Sequence, residues 1–438
     1  MNQLQLFLPC AAGVEDYLAA EVAHITGQDL AQVHKWRAGV LLQASWRDAM
    51  LLNLHSRLAQ RVLVQLHHAM YRNEQDLYRI AGDVAWEIWF TPRESMKVEV
   101  TAQHSPLTSL NFAALRIKDA VCDRFRAKCG GVRPDVDTRW PDIRIYTHLT
   151  TDTVSLYIDT SGEALFKRGW REDKGDAPLK ETLAAAMLAA SGWSDTPHLP
   201  LYDPCCGSGT IAIEAAQIAC NIAPGALRRF AFEKMLPFQP HVWEAMRESA
   251  RQAQRVPAPG DKPTIFGSDV SHRMVDFAQR NARRAGVAEA IEFRGGDALQ
   301  RMPPCDAPAL MMVNPPYGER IATAGFAGAN AQRHQGGRDA REAWDDGPAE
   351  PVRSPREQAH TEDGGDFFVQ LAAHWKKHFA GWTVWMLTPD LKLPGTMRLK
   401  AGRRVPMWNG PIECRMFRFD MVQGSARSAR TADPAADT

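Results

Sequence analysis

Apolar and polar positions follow two different patterns along the chain. Residues 3–9 alternate as a half-buried β-strand does, and residues 13–22 have the apolar spacing of an amphipathic helix. Helical patterns follow at 76–90 and 111–126, and strand patterns follow at 95–101 and 143–159. Because no series of parallel strands joined by crossover helices is evident, residues 1–165 are predicted to form an α+β region.

From residue 179 onward, apolar strand patterns alternate with helical ones, and each strand ends in a polar or glycine-rich turn. The strand patterns lie at 199–204, 264–269, 290–295, 309–314 and 383–388. This alternation predicts an α/β domain with a doubly wound, mostly parallel sheet, a Rossmann-like fold. Ligands of such sheets bind at the carboxyl ends of the strands, so functional residues are expected there.

Two segments have little apolar periodicity. Residues 322–365 and 423–438 are rich in Gly, Ala, Arg, Asp and other small or charged residues. Such segments bury too little apolar surface to offset the entropy of ordering, so both are predicted to be disordered.

The overall composition limits the classes of function. With 438 residues, of which 45% are hydrophobic, the chain is long enough for two or three domains. Its 52 Lys and Arg nearly balance its 51 Asp and Glu, so the total charge does not indicate a nucleic-acid partner. Any surface for RNA must therefore be local.

The sequence favours a reduced, cytoplasmic protein without metal. Its start lacks the basic flank and long apolar core of a signal peptide, and no stretch approaches the ~20 apolar residues of a membrane span. None of the eight cysteines forms a Cys-x-x-Cys pair, and no His lies at zinc-ligand spacing.

A glycine turn follows the strand pattern at 199–204. Two glycines let the backbone approach a ligand closely, and the free N–H groups of the next helix suit a polar group. The turn alone fits a structural turn, a dinucleotide site or an S-adenosylmethionine site. Its two cysteines are expected to pack as small neutral side chains rather than to take part in redox or metal chemistry. The candidate cofactor contacts are Asp203, Cys205, Gly207, Ser208, Gly209 and Thr210.

Two carboxylates at later strand ends narrow these alternatives. Asp269 ends the next strand, where a carboxylate can accept hydrogen bonds from the two ribose hydroxyls of an adenosine. Asp297 ends the following strand, with Ala298 beside it, and can accept a hydrogen bond from an adenine amino group. Each Asp alone is equally compatible with a helix N-cap. Three successive strand ends with such groups favour an adenosine-containing cofactor.

The most informative motif is Asn314-Pro315-Pro316-Tyr317, which directly follows an apolar strand. The prolines fix a rigid turn in which the Asn314 side-chain oxygen and the Pro315 carbonyl can point at one ligand. Two acceptors that hold both hydrogens of an aromatic amine direct its lone pair toward a methyl donor, so the turn predicts N-methylation of a base. Tyr317 is expected to stack on that base.

Taken together, these motifs resemble motifs I to IV of class I amino-methyltransferases. The closer resemblance is to THUMP-domain guanine-N2 methyltransferases that act on large-subunit (23S) ribosomal RNA. It is carried by several further stretches and covers most of 1–320 and 366–422. These stretches are Gly13-Val-Glu-Asp-Tyr-Leu18, Phe166-Lys-Arg-Gly-Trp170, Ala177-Pro-Leu-Lys-Glu-Thr-Leu-Ala184, Ile222-Ala-Pro-Gly-Ala-Leu-Arg228 and Asn409-Gly-Pro-Ile-Glu-Cys-Arg415.

The resemblance implies a domain order. It predicts a ferredoxin-like part at 1–60, a THUMP-like RNA-binding domain at 61–165 and a methyltransferase domain at 166–422. It also places Glu181, in the helix beside the cofactor, among the cofactor contacts. The chain departs from the family pattern in the length of 322–365, and it lacks the second methyltransferase module of some members, so one modification is expected.

The residues leave rival functions open. The same tetrapeptide type occurs in adenine-N6 methyltransferases of RNA or DNA, and the RNA-type N-terminal region is what favours guanine in RNA. A nicotinamide-dependent oxidoreductase would use the glycine turn but leave Asn314 and Tyr317 without a role. A non-catalytic RNA-binding or ribosome-assembly factor is the third alternative.

The expected partner is therefore RNA, either 23S rRNA or the pre-ribosomal large subunit. Three basic residues at the domain junction are predicted to contact its phosphates, together with the first 165 residues. These are Lys167, Arg168 and Arg171.

Overall fold

A computed structural model of the chain describes residues 3–175, 178–255, 257, 261–315 and 364–422. The two segments predicted to be disordered, 322–365 and 423–438, lie outside these residues, except that Gly364 and Gly365 begin a helix. Tyr317 also lies outside them.

The N-terminal region contains seven strands and four α-helices among the described residues. The strands are β1 (Leu4–Pro9), β2 (His34–Trp36), β3 (Gly39–Ala44), β4 (Leu63–Met70), β5 (Met96–Ala102), β6 (Ile143–Leu149) and β7 (Thr153–Asp159). The helices are α1 (Glu15–Thr26), α2 (Trp46–His55), α3 (Glu74–Asp83) and α4 (Leu110–Lys128).

These strands form one continuous sheet in the order β2-β3-β1-β4-β7-β6-β5. Only β5 and β6, which α4 connects, run parallel, and the other neighbours are antiparallel. The α+β prediction for the first 165 residues is confirmed. The sheet is shared by the segments predicted as ferredoxin-like and THUMP-like.

The C-terminal region contains seven strands and six α-helices among the described residues. The strands are β8 (Leu201–Asp203), β9 (Ile265–Asp269), β10 (Ile291–Gly295), β11 (Leu310–Val313), β12 (Thr383–Thr388), β13 (Arg403–Asn409) and β14 (Ile412–Asp420). The helices are α5 (Glu181–Ser191), α6 (Thr210–Ala219), α7 (Pro240–Gln252), α8 (His272–Arg284), α9 (Gly364–His378) and α10 (Leu393–Thr396).

The second sheet has the order β10-β9-β8-β11-β12-β14-β13, with β8 to β12 all parallel. The chain moves outward from β8 through β9 to β10 and then returns to β11 on the other side of β8. The switch point of a doubly wound sheet therefore lies between β8 and β11, which is where such folds bind ligands. The Rossmann-like prediction is confirmed.

A hairpin of β13 and β14 completes the sheet and was not among the predicted strands. Its two-residue turn starts with Gly410, whose φ of +62° suits glycine. Strand β14 runs antiparallel to β12. One face of the hairpin buries Val405, Met407 and Cys414.

The two regions pack directly against each other through the segment that follows α6. Gly225 N donates to Leu54 O at 2.9 Å, and Phe232 N donates to Thr160 O at 3.0 Å. A Cβ on Gly225 would lie 2.8 Å from Asn53 O, so glycine is required for this approach. Helix α6, which begins at the predicted cofactor loop, is thereby fixed to the N-terminal region at its other end.

Candidate active site

The predicted cofactor contacts converge at the carboxyl edge of the second sheet. β8 is hydrogen-bonded to β9 on one side and to β11 on the other, and β10 follows β9. Neighbouring strands lie about 4.8 Å apart, so the residues that follow these four strands share one edge. The loop after β8, Asp269, Asp297 and Asn314 each occupy one strand end.

The loop between β8 and α6 has the backbone that its glycines permit. Gly207 and Gly209 have φ values of +51° and +88°, and Gly209 directly precedes α6. A Cβ on Gly209 would lie 2.9 Å from the Cβ of Ala278, whereas a Cβ on Gly207 would meet no atom within 4 Å. Glycine at 209 is required by packing, and Gly207 borders open space.

Two aspartates accept hydrogen bonds from backbone N–H groups of the loop. Cys205 N donates to the Oδ1 atom of Asp203 at 3.1 Å. Gly207 N donates to the Oδ2 atom of Asp269 at 3.0 Å, and Ser271 N donates to its Oδ1 atom at 2.9 Å. Asp269 therefore braces both the loop and the turn that precedes α8. The N-cap residue of α8 is Ser271, so Asp269 is not the cap of that helix.

Burial changes the acidity of these groups. Burial, with the charge of Asp269 nearby, raises the pKa of Asp203 to about 8, although the N–H of Cys205 opposes this. Burial also raises the pKa of Asp269. Asp203 therefore holds less negative charge near neutral pH than an exposed aspartate would.

Asp297 and Ala298 lie in the turn after β10. Asp297 Oδ1 accepts a hydrogen bond from Leu299 N at 2.9 Å, and the side chain of Ala298 is buried. As at Asp269, one carboxylate oxygen stabilises the local turn. The other oxygen is the one available for the predicted adenine contact.

The paired cysteines of the loop are free thiols. Burial raises the pKa of both the Cys205 and the Cys206 thiol, and the carboxylates of Asp203 and Asp269 raise it further. A thiol that stays protonated is a poor nucleophile and a poor metal ligand. Packing is thus the role that fits Cys206, and Cys205 remains a predicted cofactor contact.

Arg171 contacts the cofactor loop, which corrects its predicted role. Its side chain donates to Thr210 Oγ1 at 2.8 Å and to Ser208 Oγ at 3.4 Å. Its Nε atom donates to Glu181 Oε1 at 2.7 Å, and both partners of this ion pair are largely buried. The guanidinium is enclosed by these groups, so the predicted phosphate contact is wrong for Arg171.

Arg168 is the second correction. Its side chain is 1% exposed and bonds to Glu214 of α6, to Leu165 O and to Arg57 O. All three guanidinium nitrogens donate to protein oxygens and the side chain is buried, so Arg168 does not reach a phosphate. Lys167, by contrast, is 36% exposed and lies 2.9 Å from Glu163, so its predicted RNA contact is not tested by its position.

Sequence reasoning missed Asn281, which is completely buried in α8. Its Nδ2 atom donates to Ser208 O at 3.1 Å and to Asp173 O at 2.8 Å. It therefore ties the cofactor loop to the segment that joins the two regions. A single helical asparagine carries no motif, so the sequence holds no signal for this role.

The catalytic turn is described as far as Pro315. Asn314 is half-buried and Pro315 is buried, directly after β11. Leu310 pairs with Leu201 and Met311 with Tyr202, and continuing this register brings Asn314 beside the start of the cofactor loop. The predicted stacking by Tyr317 falls outside the described residues.

Two findings concern metals and membranes. Within the described ranges, no group of three or more His, Cys, Asp and Glu side chains is arranged to hold a metal ion. No helix in the same part of the chain is both long and apolar enough to cross a membrane.

Comparison with family models divides the chain into three parts. Residues 5–63 match the RlmL ferredoxin-like domain, residues 71–159 match the THUMP domain, and residues 168–330 match the RMKL-like methyltransferase domain. These matches follow the order that the sequence resemblance implies.

Full-length relatives are longer than this chain. A protein of Psychromonas ingrahamii named ribosomal RNA large subunit methyltransferase K/L is 34% identical over 413 residues, which are 94% of this chain and 49% of that protein. The chain thus spans about half the length of the curated relative it matches.

Solved structures match the whole fold. A possible methylase from Clostridium difficile 630 is 25% identical with a TM-score of 0.78, and the match covers 97% of this chain and 100% of that one. A predicted N6-adenine-specific DNA methylase from Listeria monocytogenes is 26% identical with a TM-score of 0.77, covering 96% of both chains. The chain therefore contains an RlmL ferredoxin-like domain and a THUMP domain, followed by an RMKL-like methyltransferase domain.

Proposed function

We propose that this protein transfers a methyl group from S-adenosylmethionine to the exocyclic N2 amine of a guanine in 23S ribosomal RNA. The observation that carries the proposal is the pairing of β8 with β11 at the switch point. It brings the glycine loop and Asn314 to one edge of the sheet, and methyl transfer requires the donor and the amine within about 3.5 Å of each other.

The residues at this edge fit the cofactor. Gly207 borders open space, and α6 presents the free N–H groups of its first turn beside it. Each oxygen of Asp269 accepts one backbone hydrogen bond, and Oδ1 of Asp297 accepts one. A carboxylate oxygen can accept two hydrogen bonds, so both side chains keep acceptor capacity, Asp269 for ribose hydroxyls and Asp297 for an adenine amine. We assign the cofactor contacts to these residues and to the loop from Asp203 to Thr210. When bound, S-adenosylmethionine supplies a methyl group on a positively charged sulfur.

The catalytic turn would act by positioning. The side-chain oxygen of Asn314 and the carbonyl of Pro315 accept the two hydrogens of the base amine, which orients the nitrogen lone pair. The same two acceptors stabilise the positive charge that develops on nitrogen. No side chain is needed as a general base, because the methylated amine is acidic enough to lose its proton to water.

The choice of RNA rests on the N-terminal region. The THUMP match at 71–159 and the name of the Psychromonas relative support a ribosomal RNA substrate. Eight free thiols are compatible with a reducing compartment, and we propose that the reaction takes place in the cytoplasm. The pre-ribosomal large subunit is the alternative form of the substrate.

One observation favours a second candidate. The Listeria structure is named as a predicted adenine-specific DNA methylase, and the Asn-Pro-Pro-Tyr turn also suits the N6 amine of adenine. Guanine in RNA is preferred because a THUMP domain occupies the N-terminal region.

The product nucleoside decides between these functions. The purified full chain is incubated with in vitro transcribed 23S rRNA and labelled S-adenosylmethionine, and the digested RNA is analysed by mass spectrometry. N2-methylguanosine is the expected product. N6-methyladenosine would transfer the assignment to adenine, and RNA binding without any methylated nucleoside would favour the non-catalytic RNA-binding factor.

A further inference from the structure

The near-zero net charge of the chain hides a strongly basic segment. Residues 370–404 contain seven Lys or Arg and one Asp, whereas the remaining chain contains 45 Lys or Arg and 50 Asp or Glu. This segment of the catalytic domain is therefore positively charged, and the rest of the chain is negative overall. Such a local concentration of charge is what a balanced composition conceals.

The charged and apolar residues of this segment lie on different sides. Leu393 and Met397 are 3% and 2% exposed and pack into the core between α9 and the sheet. We define the basic strip as the six exposed cations on the other side. They are Lys376, Lys377, Lys392, Arg398, Lys400 and Arg404. Arg403 is excluded because its guanidinium donates to Tyr17 and lies over the Trp385 ring. Arg404 lies over the Phe417 ring at 5.8 Å but is kept, since its side chain has no hydrogen-bond partner among the described residues.

None of the six strip residues forms an ion pair with a carboxylate among the described residues, whereas cations elsewhere do. Arg280 and Arg284 of α8, for example, both bind Asp173. The acidic residue within the segment, Asp390, accepts a backbone hydrogen bond from Lys392 at 2.8 Å. Neighbouring cations that have no carboxylate partner repel one another, so binding of a polyanion would stabilise them.

One end of the strip lies beside the catalytic turn. β12 pairs with β11 in parallel, with Met386 opposite Val313, so the end of β12 is adjacent to Asn314. Lys392 follows four residues after that end, in the turn that Thr388 and Asp390 stabilise. The cationic surface therefore begins at the edge of the sheet that carries the catalytic turn.

The other end of the strip lies along α9. Lys376 Nζ donates to Arg398 O at 3.0 Å, which fixes the segment after α10 to the last turn of that helix. Since α9 leads into the amino end of β12, the strip runs from the active-site edge toward the opposite edge of the sheet. The cationic surface therefore extends from one edge of the sheet toward the other.

We propose that the basic strip binds the phosphate backbone of the RNA strand that flanks the target nucleotide. This inference rests on the proposed function, in which the substrate is RNA, and it identifies the surface of the catalytic domain that binds that RNA. An extended array of Lys and Arg without carboxylate partners among the described residues, which begins at the sheet edge of the catalytic turn, fits a linear polyanion. These residues supply the local phosphate contacts that Arg168 and Arg171, being enclosed, do not.

The test compares two triple variants of the full chain. One neutralises three of the six strip residues (Lys392→Gln, Arg398→Gln, Lys400→Gln). The matched control neutralises three exposed cations elsewhere in the catalytic domain (Arg247→Gln, Lys262→Gln, Arg283→Gln). Binding to in vitro transcribed 23S rRNA is measured from about 50 to about 200 mM salt, because each lost phosphate contact lowers the slope of log affinity against log salt by roughly 0.7. Calorimetry with S-adenosylmethionine verifies that both variants are folded.

We expect the slope of the strip variant to fall by about 2, with the KM for RNA raised by about tenfold or more, and kcat and cofactor affinity retained. The control variant should behave as the wild type. If the slope of log affinity against log salt is the same in both variants while the wild type binds RNA normally, the basic strip does not bind the RNA. That result would leave the proposed function intact. Wild type that neither binds nor methylates RNA would overturn the proposed function as well.

Discussion

Arg168 and Glu214 form a buried ion pair, with 3.1 Å between Nε and Oε1, that links the junction of the two regions to α6. The two side chains are 1% and 0% exposed, and the same guanidinium donates to Arg57 O at 2.7 Å. Because α6 begins at the cofactor loop, this pair fixes that helix relative to the N-terminal region.

Removing Arg168 should therefore destabilise the protein strongly. Arg168→Ala leaves Glu214 buried without its closest partner, since Arg57 Nη1 lies 3.9 Å away, and the free energy of unfolding should fall by about 3 to 5 kcal/mol. Urea unfolding measures this loss. The neighbouring Lys167→Ala, which removes a partly exposed pair, serves as the control and should change it by less than about 1 kcal/mol. Similar losses in both variants would contradict the structural role of Arg168.

Arg171→Ala should affect the cofactor rather than RNA. The substitution removes the hydrogen bonds that hold Ser208 and Thr210 and leaves Glu181 buried without its cation. We expect cofactor affinity to fall by about tenfold or more, as for the loss of charge-assisted hydrogen bonds in a site. RNA affinity and its salt dependence should stay unchanged. A reduced salt slope with unaltered cofactor binding would restore the original RNA-contact prediction.

The stability of the protein should depend on pH through Asp203. Its pKa is raised to about 8 in the folded state, against about 3.9 in an unfolded chain, so the folded state binds the proton more tightly. This contribution to stability is present below about pH 4 and is lost as pH rises toward about 8. Asp203→Asn keeps the acceptor for Cys205 N but does not titrate.

Unfolding by urea at several pH values provides the measurement. Between about pH 4 and 8, the free energy of unfolding should decline more steeply in the wild type than in Asp203→Asn, by at most about 1.4 kcal/mol per pH unit. Other groups with raised pKa values, such as Glu21 and Asp159, contribute equally to both proteins. Identical pH profiles would show that Asp203 ionises normally.

Asp269→Ala should weaken cofactor binding in two ways. It removes the predicted acceptor for the ribose hydroxyls, and it also frees Gly207 N, which shapes the loop. Calorimetry should give a loss of about 1 to 3 kcal/mol. Asp276→Ala, at an exposed position of α8, is the control and should bind normally. An unaltered affinity in Asp269→Ala would remove this residue from the site.

Asn314→Ala should separate catalysis from cofactor binding. If Asn314 holds the base amine in the transition state, turnover should fall by about 100-fold or more while cofactor affinity is retained. Tyr317→Phe should be tolerated because the aromatic ring can still stack on the base. Tyr317→Ala should weaken base binding by about 1 to 3 kcal/mol. Single-turnover kinetics and calorimetry measure these effects. Full activity in Asn314→Ala would exclude its catalytic role.

Local motifs in the sequence were sufficient to predict strands β8 to β12 and to place the glycine loop, Asp269 and Asp297 at the ends of three of them. This is because periodicity, glycines with positive φ and polar strand ends are properties of short segments. The doubly wound topology then places the carboxyl ends of these parallel strands at one edge of the sheet. This placement does not depend on the side chains elsewhere in the chain. The hairpin of β13 and β14 gave a weaker signal and was missed.

The roles of charged residues were decided only by tertiary structure. Arg168 and Glu214 are 46 residues apart in sequence, and Arg171 and Thr210 are 39 apart, so no local pattern indicates that these arginines are enclosed. Lys392 and Arg398, of the same charge, face solvent because Leu393 and Met397 occupy the core instead. Whether a cation binds a buried carboxylate or remains exposed depends on which distant groups the fold brings within about 4 Å, and that is a property of the packed chain.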